Sequence, residues 1–218
     1  MAGSDTFSTY ITPTGLAAAD PNGVCLTQTP GSASDLTING ALQSGGVATL
    51  VPARNVTVTS GGSSETGKTF TITGTATDGT AVTEAIAGPG GSATVSTTAL
   101  FETVTQVAVD AATAGAVTVG SGTTVNHVVF AGRTRLRGIY IVNASAAGDL
   151  DFKNASSNGD TVMKLMTTGT AATADYPDIP DEGILCTDGA YVNFTTTDVT
   201  AFTVFYNYWL LKRLSRTR

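Results

Sequence analysis

The stretch KTFTITGTATDGTAVTEAIAG, residues 68–88, alternates with a period of two. Phe70, Ile72 and Gly74 share one face and threonines the other, and Val82 and Ile86 are in phase after the turn Asp78–Gly79. Successive side chains of a strand point to opposite faces, so this period specifies β-structure and is incompatible with a helix face. Asp-Gly between two alternating runs marks a hairpin, because glycine supplies the positive φ of a tight turn. The same alternation recurs in VTVTS (56–60), FETVTQVAVD (101–110) and GAVTVG (115–120). Helical periodicity is almost absent, since GLAAAD and DAATAG are too short to be stable helices alone. The expected fold class is all-β.

The character of the chain changes near residue 124. Four aromatics precede it (Phe7, Tyr10, Phe70 and Phe101) and eleven follow. The second half reads as short strands, among them VNHVVF, RLRGIYIVN, GDLDFKN, TVMKLM, GILCT, AYVNFT and AFTVFYNYW. Turn signals at Asn158–Gly159, Asp181–Gly183 and Asp188–Gly189 separate them. Short strands at this spacing indicate a sandwich or jelly roll. The expected organisation is two small antiparallel β-sandwich or jelly-roll-like domains. An extended arm and first strands occupy 1–46, a Gly/Thr-rich β domain 47–123, a second sandwich 124–208 and a basic C-terminal tail 209–218. The first domain offers mainly Val, Ala, Thr and Gly, which bury little area per residue, so burial against a partner subunit would benefit it.

Gly62-Ser-Ser-Glu-Thr-Gly67-Lys68-Thr69 matches the spacing of a phosphate-binding P-loop, and Asp110 could pass for its magnesium aspartate. A working P-loop opens a helix whose N-terminus faces the phosphates. Here a β-branched strand follows Lys68, so the match reads as a loop between strands and Lys68 as a surface or interface charge. Asp110 ends a strand. His127, the single histidine, sits in a strand, and no G-x-S-x-G motif accompanies it. Asp175, Asp178, Asp181 and Glu182 offer oxygen ligands that would suit calcium, but Pro177 and Pro180 make DYPDIPDEG read as an extended loop. Cys25 and Cys186 stand in no metal-like spacing and read as two free buried thiols. No catalytic residue, cofactor site or metal site is assigned, and the expectation is a protein that is not an enzyme.

The formal net charge is −6, which disfavours nucleic acid as a partner. No segment approaches the roughly 20 apolar residues that span a membrane, and the N-terminus does not read as a secretory signal. Cations are unevenly placed: residues 1–132 hold Arg54 and Lys68 alone, whereas Lys212, Arg213, Arg216 and Arg218 crowd the last seven positions. Just before them, AFTVFYNYW carries large residues on both faces. Phe202, Val204, Tyr206 and Tyr208 point one way, and Phe205 and Trp209 the other. Two-sided apolarity implies burial on both sides or an interface. The candidate partner-interface residues lie toward the two ends of the chain, Phe7 and Tyr10 at one and Tyr208, Trp209, Leu210, Leu211, Lys212 and Arg213 at the other, the basic tail docking by charge complementarity on an acidic patch of a neighbouring subunit.

Three segments, DLTINGALQSGGVATLVPARNVTVTSGG, KTFTITGTATDGTAVTEAIAGPGG and FETVTQVAVDAATAGAVTVG, resemble a pattern that recurs in structural proteins of tailed-phage virions. GIYIVNASAAGDLDF and DIPDEGILCTDGAYVNFTTTDVTAFTVFY are similar to β-sandwich modules of the same proteins. The resemblance implies a non-enzymatic virion component, in the first place a capsid decoration or cement protein on the capsid surface, made in the host bacterial cytoplasm. It implies the major capsid protein and further copies of the chain as partners, the latter as a homo-oligomer, a trimer. A tail, head–tail junction or head-fibre-base protein is the alternative within that class. A carbohydrate-binding adhesin module, built around Trp209, is the alternative outside it.

Overall fold

The structure is a computed structural model that describes residues 5–208. In chain order the strands are β1 (Phe7–Ile11), β2 (Cys25–Gln28), β3 (Ser34–Asp35), β4 (Gln43–Ser44), β5 (Val47–Ser60), β6 (Thr69–Thr75), β7 (Ala81–Ala87), β8 (Thr94–Val109), β9 (Val117–Phe130), β10 (Thr134–Asn143), β11 (Asp149–Asn154), β12 (Thr161–Met166), β13 (Ala174–Asp175), β14 (Ile184–Cys186), β15 (Ala190–Thr195) and β16 (Val199–Tyr208). A 3-10 turn at Pro13–Gly15 is the one helical piece among the described residues. The fold is all-β, as the alternation requires, with every ladder antiparallel in two sheets.

The small sheet runs β1–β16–β10–β13, with β14 also paired to β10. The large sheet runs β12–β11–β15–β9–β5–β8–β6–β7, with β2, β3 and β4 attached to β9, β8 and β5. Two cores form. One is rich in valine and holds Val24, Val56, Val58, Phe70, Ile72, Phe101, Val104 and Val119. The other lies between the small sheet and the β12–β11–β15–β9 part of the large one. It is built on Leu136, Ile139, Ile141, Phe152, Phe194 and Phe202, the last two rings meeting edge to face at 5.0 Å. Such a contact adds about 1 kcal/mol beyond the area it buries.

The two cores share a strand. β9 contributes Val117 and Val119 to the first core and Val125 and Val129 to the second, so the change of composition near residue 124 falls inside one continuous strand. Gly120 and Gly122 lie within it without breaking it. A Cβ on Gly120 would fall 2.0 Å from the Asp20 carbonyl oxygen, and one on Gly122 would fall 2.4 Å from the Asn55 side chain. These glycines serve close approach, which is the other use of glycine in a strand. The N-terminal segment is shared as well, since β1 pairs with β16 of the second sandwich and β2 with the first half of β9.

Polar side chains fasten this seam. Arg54 is buried and donates to the carbonyl oxygens of Gly122, at 2.9 Å, and Ala17, and no carboxylate pairs with it among the described residues. Asn158 accepts from the Leu100 amide and donates to the Leu100 carbonyl, both at 2.8 Å, so one side chain supplies β8 with a ladder rung from the other sandwich.

Candidate interaction surface

The P-loop-like stretch is a structural clasp. β6 begins at Thr69, directly after Lys68, so no helix N-terminus forms there. Glu65 is fully buried. Its carboxylate accepts from the amides of Ala114 and Gly115, each at 2.9 Å, and pairs with the Lys68 ammonium at 2.7 Å. Burial acts to raise the Glu65 pKa, but the bond from Lys68, the two amides and the Lys68 charge outweigh it, and the carboxyl sits below its usual range. Lys68 is thus not the surface charge expected from the sequence. It turns inward because a carboxylate with no exposure needs a counter-ion. Asp110 accepts from the Thr69 amide at 2.9 Å, which lowers its pKa and ties the end of β8 to the start of β6.

Among the candidate interface residues, Phe7 and Tyr208 are brought together. Their rings stack at 4.5 Å, and Phe130 stacks on Tyr208 at 4.6 Å, so Tyr208 lies between two phenylalanines. Tyr206 leans on both at 6.0 and 5.8 Å. The strand pairing Phe7↔Tyr206 puts this stack on the core-facing side of β1 and β16. Tyr10 is not part of it. Three residues on, it stands on the opposite face of β1 and is 67% exposed. Trp209, Leu210, Leu211, Lys212 and Arg213 lie outside the described residues.

Tyr10 marks the outer face of the small sheet. It pairs with Thr203, which pairs with Tyr140, and the Tyr140 ring meets Tyr176 at 4.6 Å. Tyr176 is 75% exposed, and Phe205, one row along opposite Ser8 and Gly138, is also exposed. Arg135 and Arg137 stand at the end of this face where β16 finishes, Arg135 donating to the carbonyls of Glu182 and Gly183. The two-sided apolarity of AFTVFYNY therefore resolves into one buried side and one open aromatic side. Tyr140 was readable, being out of phase with Ile139 and Ile141. Tyr176 was not, because it comes from a loop and reaches the row only through tertiary packing.

A second polar feature lies on the large sheet. A cleft of about 320 Å³ is lined by Thr124, Asp149, Asp151, Asn193, Thr195 and Asp198. Lys164 reaches Asp149 at 2.8 Å and lies 3.5 Å from Asp151. Burial raises the Asp198 pKa and the Asp149 charge adds to it, outweighing hydrogen bonds from Thr197, Thr195 and the Asp149 amide. Among the described residues no cluster of three His, Cys, Asp or Glu is arranged to hold a metal ion, and Asp175 accepts from the side-chain Nδ2 of Asn143 at 2.5 Å. Cys25 and Cys186 are free and buried, and burial pushes their thiols up to about 12 and about 11. His127 is half-buried in β9, where burial lowers its pKa. No described helix is long and apolar enough to cross a membrane.

Compared with protein-family models, with curated proteins and with solved structures, the chain matches none.

Proposed function

We propose that this protein is a non-enzymatic component of a tailed-phage virion, a capsid decoration or cement protein that bridges neighbouring major capsid subunits and stabilises the outer lattice. The observation that carries the reading is the open aromatic face of the small sheet. Tyr10, Tyr176 and Phe205 are exposed on it, the half-buried Tyr140 lies against Tyr176, and Arg135 and Arg137 stand beside them. A contiguous aromatic patch with arginines is the composition of a protein interface, and a free-standing sandwich gains nothing by exposing it. β1 supports the same reading, since it pairs with β16 alone among the described strands and leaves an edge to which an extended partner segment can add. Assembly as a homo-oligomer, a trimer, follows from the resemblance to virion proteins. The formal net charge of −6 agrees with a protein partner in place of nucleic acid.

The test is incorporation into particles. Tyr10→Ser together with Phe205→Ser leaves the isolated protein folded, within about 0.5 kcal/mol of the parent as for exposed positions generally, and abolishes its binding to capsids. Capsids decorated normally by this variant would overturn the docking role of the face. Copy number places the protein on the particle: hundreds of copies mean decoration, and about a dozen or fewer mean a tail, head–tail junction or fibre base.

The tyrosine row also favours a second reading, a carbohydrate-binding adhesin, because sugars stack on exposed rings. A glycan array showing a ligand that is lost in Tyr10→Ser, Tyr140→Ser and Tyr176→Ser would replace the first reading by this one.

A further inference from the structure

An asparagine side chain is most open to attack by its own backbone when glycine follows, because the glycine nitrogen carries no neighbouring Cβ to obstruct the approach. The chain has three such pairs, Asn22–Gly23, Asn39–Gly40 and Asn158–Gly159. The reaction open to them is a ring closure. The glycine nitrogen attacks the asparagine Cγ, the amide proton passes to water, and ammonia leaves, which gives a succinimide. Water then adds to one of the two ring carbonyls and opens the ring, leaving aspartate or isoaspartate. No oxidant, reductant or cofactor takes part. The closure asks two things of the protein: a side chain free to turn onto the nitrogen, and a glycine amide not firmly held by an acceptor.

The fold treats the three pairs differently. Asn158 is bonded at both ends of its side chain to the Leu100 main chain at 2.8 Å, and the Gly159 amide donates to the Ser156 carbonyl at 3.1 Å. Asn39 Oδ1 accepts from the Leu26 amide at 2.9 Å, and the Gly40 amide donates to the Val24 carbonyl at 2.9 Å. Asn22 differs on both counts. Its side chain is exposed and makes no hydrogen bond among the described residues, since only its main-chain amide is engaged, by Asp20 Oδ1 at 3.3 Å. The Gly23 amide donates to the Asp20 carbonyl at 3.3 Å, the longest of the three glycine bonds, and the Ser121 amide takes the same carbonyl at 2.7 Å. Gly23 and Gly40 are both buried, so burial of the glycine does not separate these sites. The hold on the asparagine does.

The turn at 20–23 is also a place where the product would be felt. A Cβ on Gly120 of β9 would overlap the Asp20 carbonyl and Pro21, and a Cβ on Gly40 would overlap the Gly23 carbonyl. The Leu42 amide fixes that carbonyl at 2.8 Å. The turn is therefore clamped at both ends. Isoaspartate routes the main chain through the side-chain carbon and adds one backbone atom between residues 22 and 23, for which a clamped turn has no slack.

We infer that Asn22 is a modification site of the folded protein, converting without an enzyme through a succinimide to aspartate and isoaspartate, while the fold protects Asn39 and Asn158. Conversion places a new negative charge next to Asp20, and the isoaspartate form loosens the turn that seats on β9. The site is independent of what the aromatic face binds.

The experiment uses the full chain, aged in warm, mildly alkaline buffer well below its melting temperature. Peptide mapping by mass spectrometry follows the gain of about 1 Da that marks each conversion. Asn22 converts at least about ten-fold faster than Asn39 or Asn158, the factor by which one or two ordinary hydrogen bonds slow an opening step. In guanidinium chloride, where those bonds are gone, the three rates converge. Asn22→Gln, whose longer side chain closes its ring far more slowly, abolishes the fast conversion. Aged parent rich in isoaspartate melts below fresh Asn22→Asp, which carries the charge without the extra backbone atom. An Asn22 that stays intact in the folded protein, or that converts no faster than the two held asparagines, would overturn the inference. Aged parent that melts with fresh Asn22→Asp would overturn the effect assigned to the clamped turn.

Discussion

Each sandwich buries a carboxylate, and the two have been driven in opposite directions. Glu65 of the first is closed in by Lys68 and two amides, and its pKa is lowered. Asp198 of the second has hydroxyls and an amide but no cation of its own, lies near Asp149, and its pKa is raised. The contrast extends to the cations. Arg54 and Lys68, the two in the first 132 residues, both turn inward, Arg54 to carbonyls at the seam and Lys68 to Glu65. In the second sandwich Lys164 and Arg137 are exposed. Cations of the first sandwich are held inside its structure, whereas Lys164 of the second makes its ion pairs at the surface. Buried charge that is matched contributes order, and buried charge left unmatched marks where a ligand would gain most.

The sharpest way to break this contrast is to remove one cation from each sandwich. Lys68→Ala leaves a carboxylate with no exposure and no counter-ion, and urea unfolding should show a loss of about 3 kcal/mol. Lys164→Ala, at an exposed pair, should leave the unfolding midpoint unchanged, and equal losses from the two would erase the distinction. Next in size is Arg54→Met. It strips the Gly122 and Ala17 carbonyls of their donor at the seam, at a cost of about 2 kcal/mol in thermal unfolding. A change near zero would mean that the seam does not depend on it.

The smallest effect concerns pH and has opposite sign in the two sandwiches. The folded-state pKa of Glu65 is below its unfolded value, so its contribution is present above about pH 4.3 and is lost as pH falls through the folded pKa. That of Asp198 is above its unfolded value. Its contribution is full below about pH 3.9 and is lost as pH rises through the folded pKa. Asp198→Asn should therefore raise the melting temperature slightly at pH 7, with the gain fading on acidification. Glu65→Gln should lower it at pH 7, with the loss shrinking toward pH 3. Melting curves from pH 3 to 7 that moved the same way for both variants would contradict the two pKa directions.

Much of the fold was legible because it is written locally. β6 and β7 with the Asp78–Gly79 turn appear where the alternation puts them, Gly79 carrying the positive φ that such a turn needs. The inward set Phe202, Val204, Tyr206 and Tyr208 was legible by phase alone. What was not legible came from contacts over long separations. Gly120 and Gly122 look like breakers between two strands, but they seat the Asp20 carbonyl and the Asn55 side chain inside one strand that serves both cores. The aromatic face was half visible. Tyr10, Tyr140 and Phe205 could be assigned to it by alternation once the strand order was known, whereas Tyr176 arrives from a loop. The acidic cleft beside Asn193 left no mark in the sequence, since its walls come from β9, β11 and β15.

The sequence by itself determined that this chain is β throughout, where its tight turn falls, and that the P-loop spacing at 62–69 leads into a strand. These depend on side-chain period and backbone preference, which act within a few residues. Tertiary structure alone decided that β1 pairs with β16 almost two hundred positions away, that Lys68 turns inward to Glu65, and that one face of the small sheet stays open. An edge strand can hydrogen-bond to any other edge and a lysine can pair with any carboxylate, so those choices are made by the packing that brings them together.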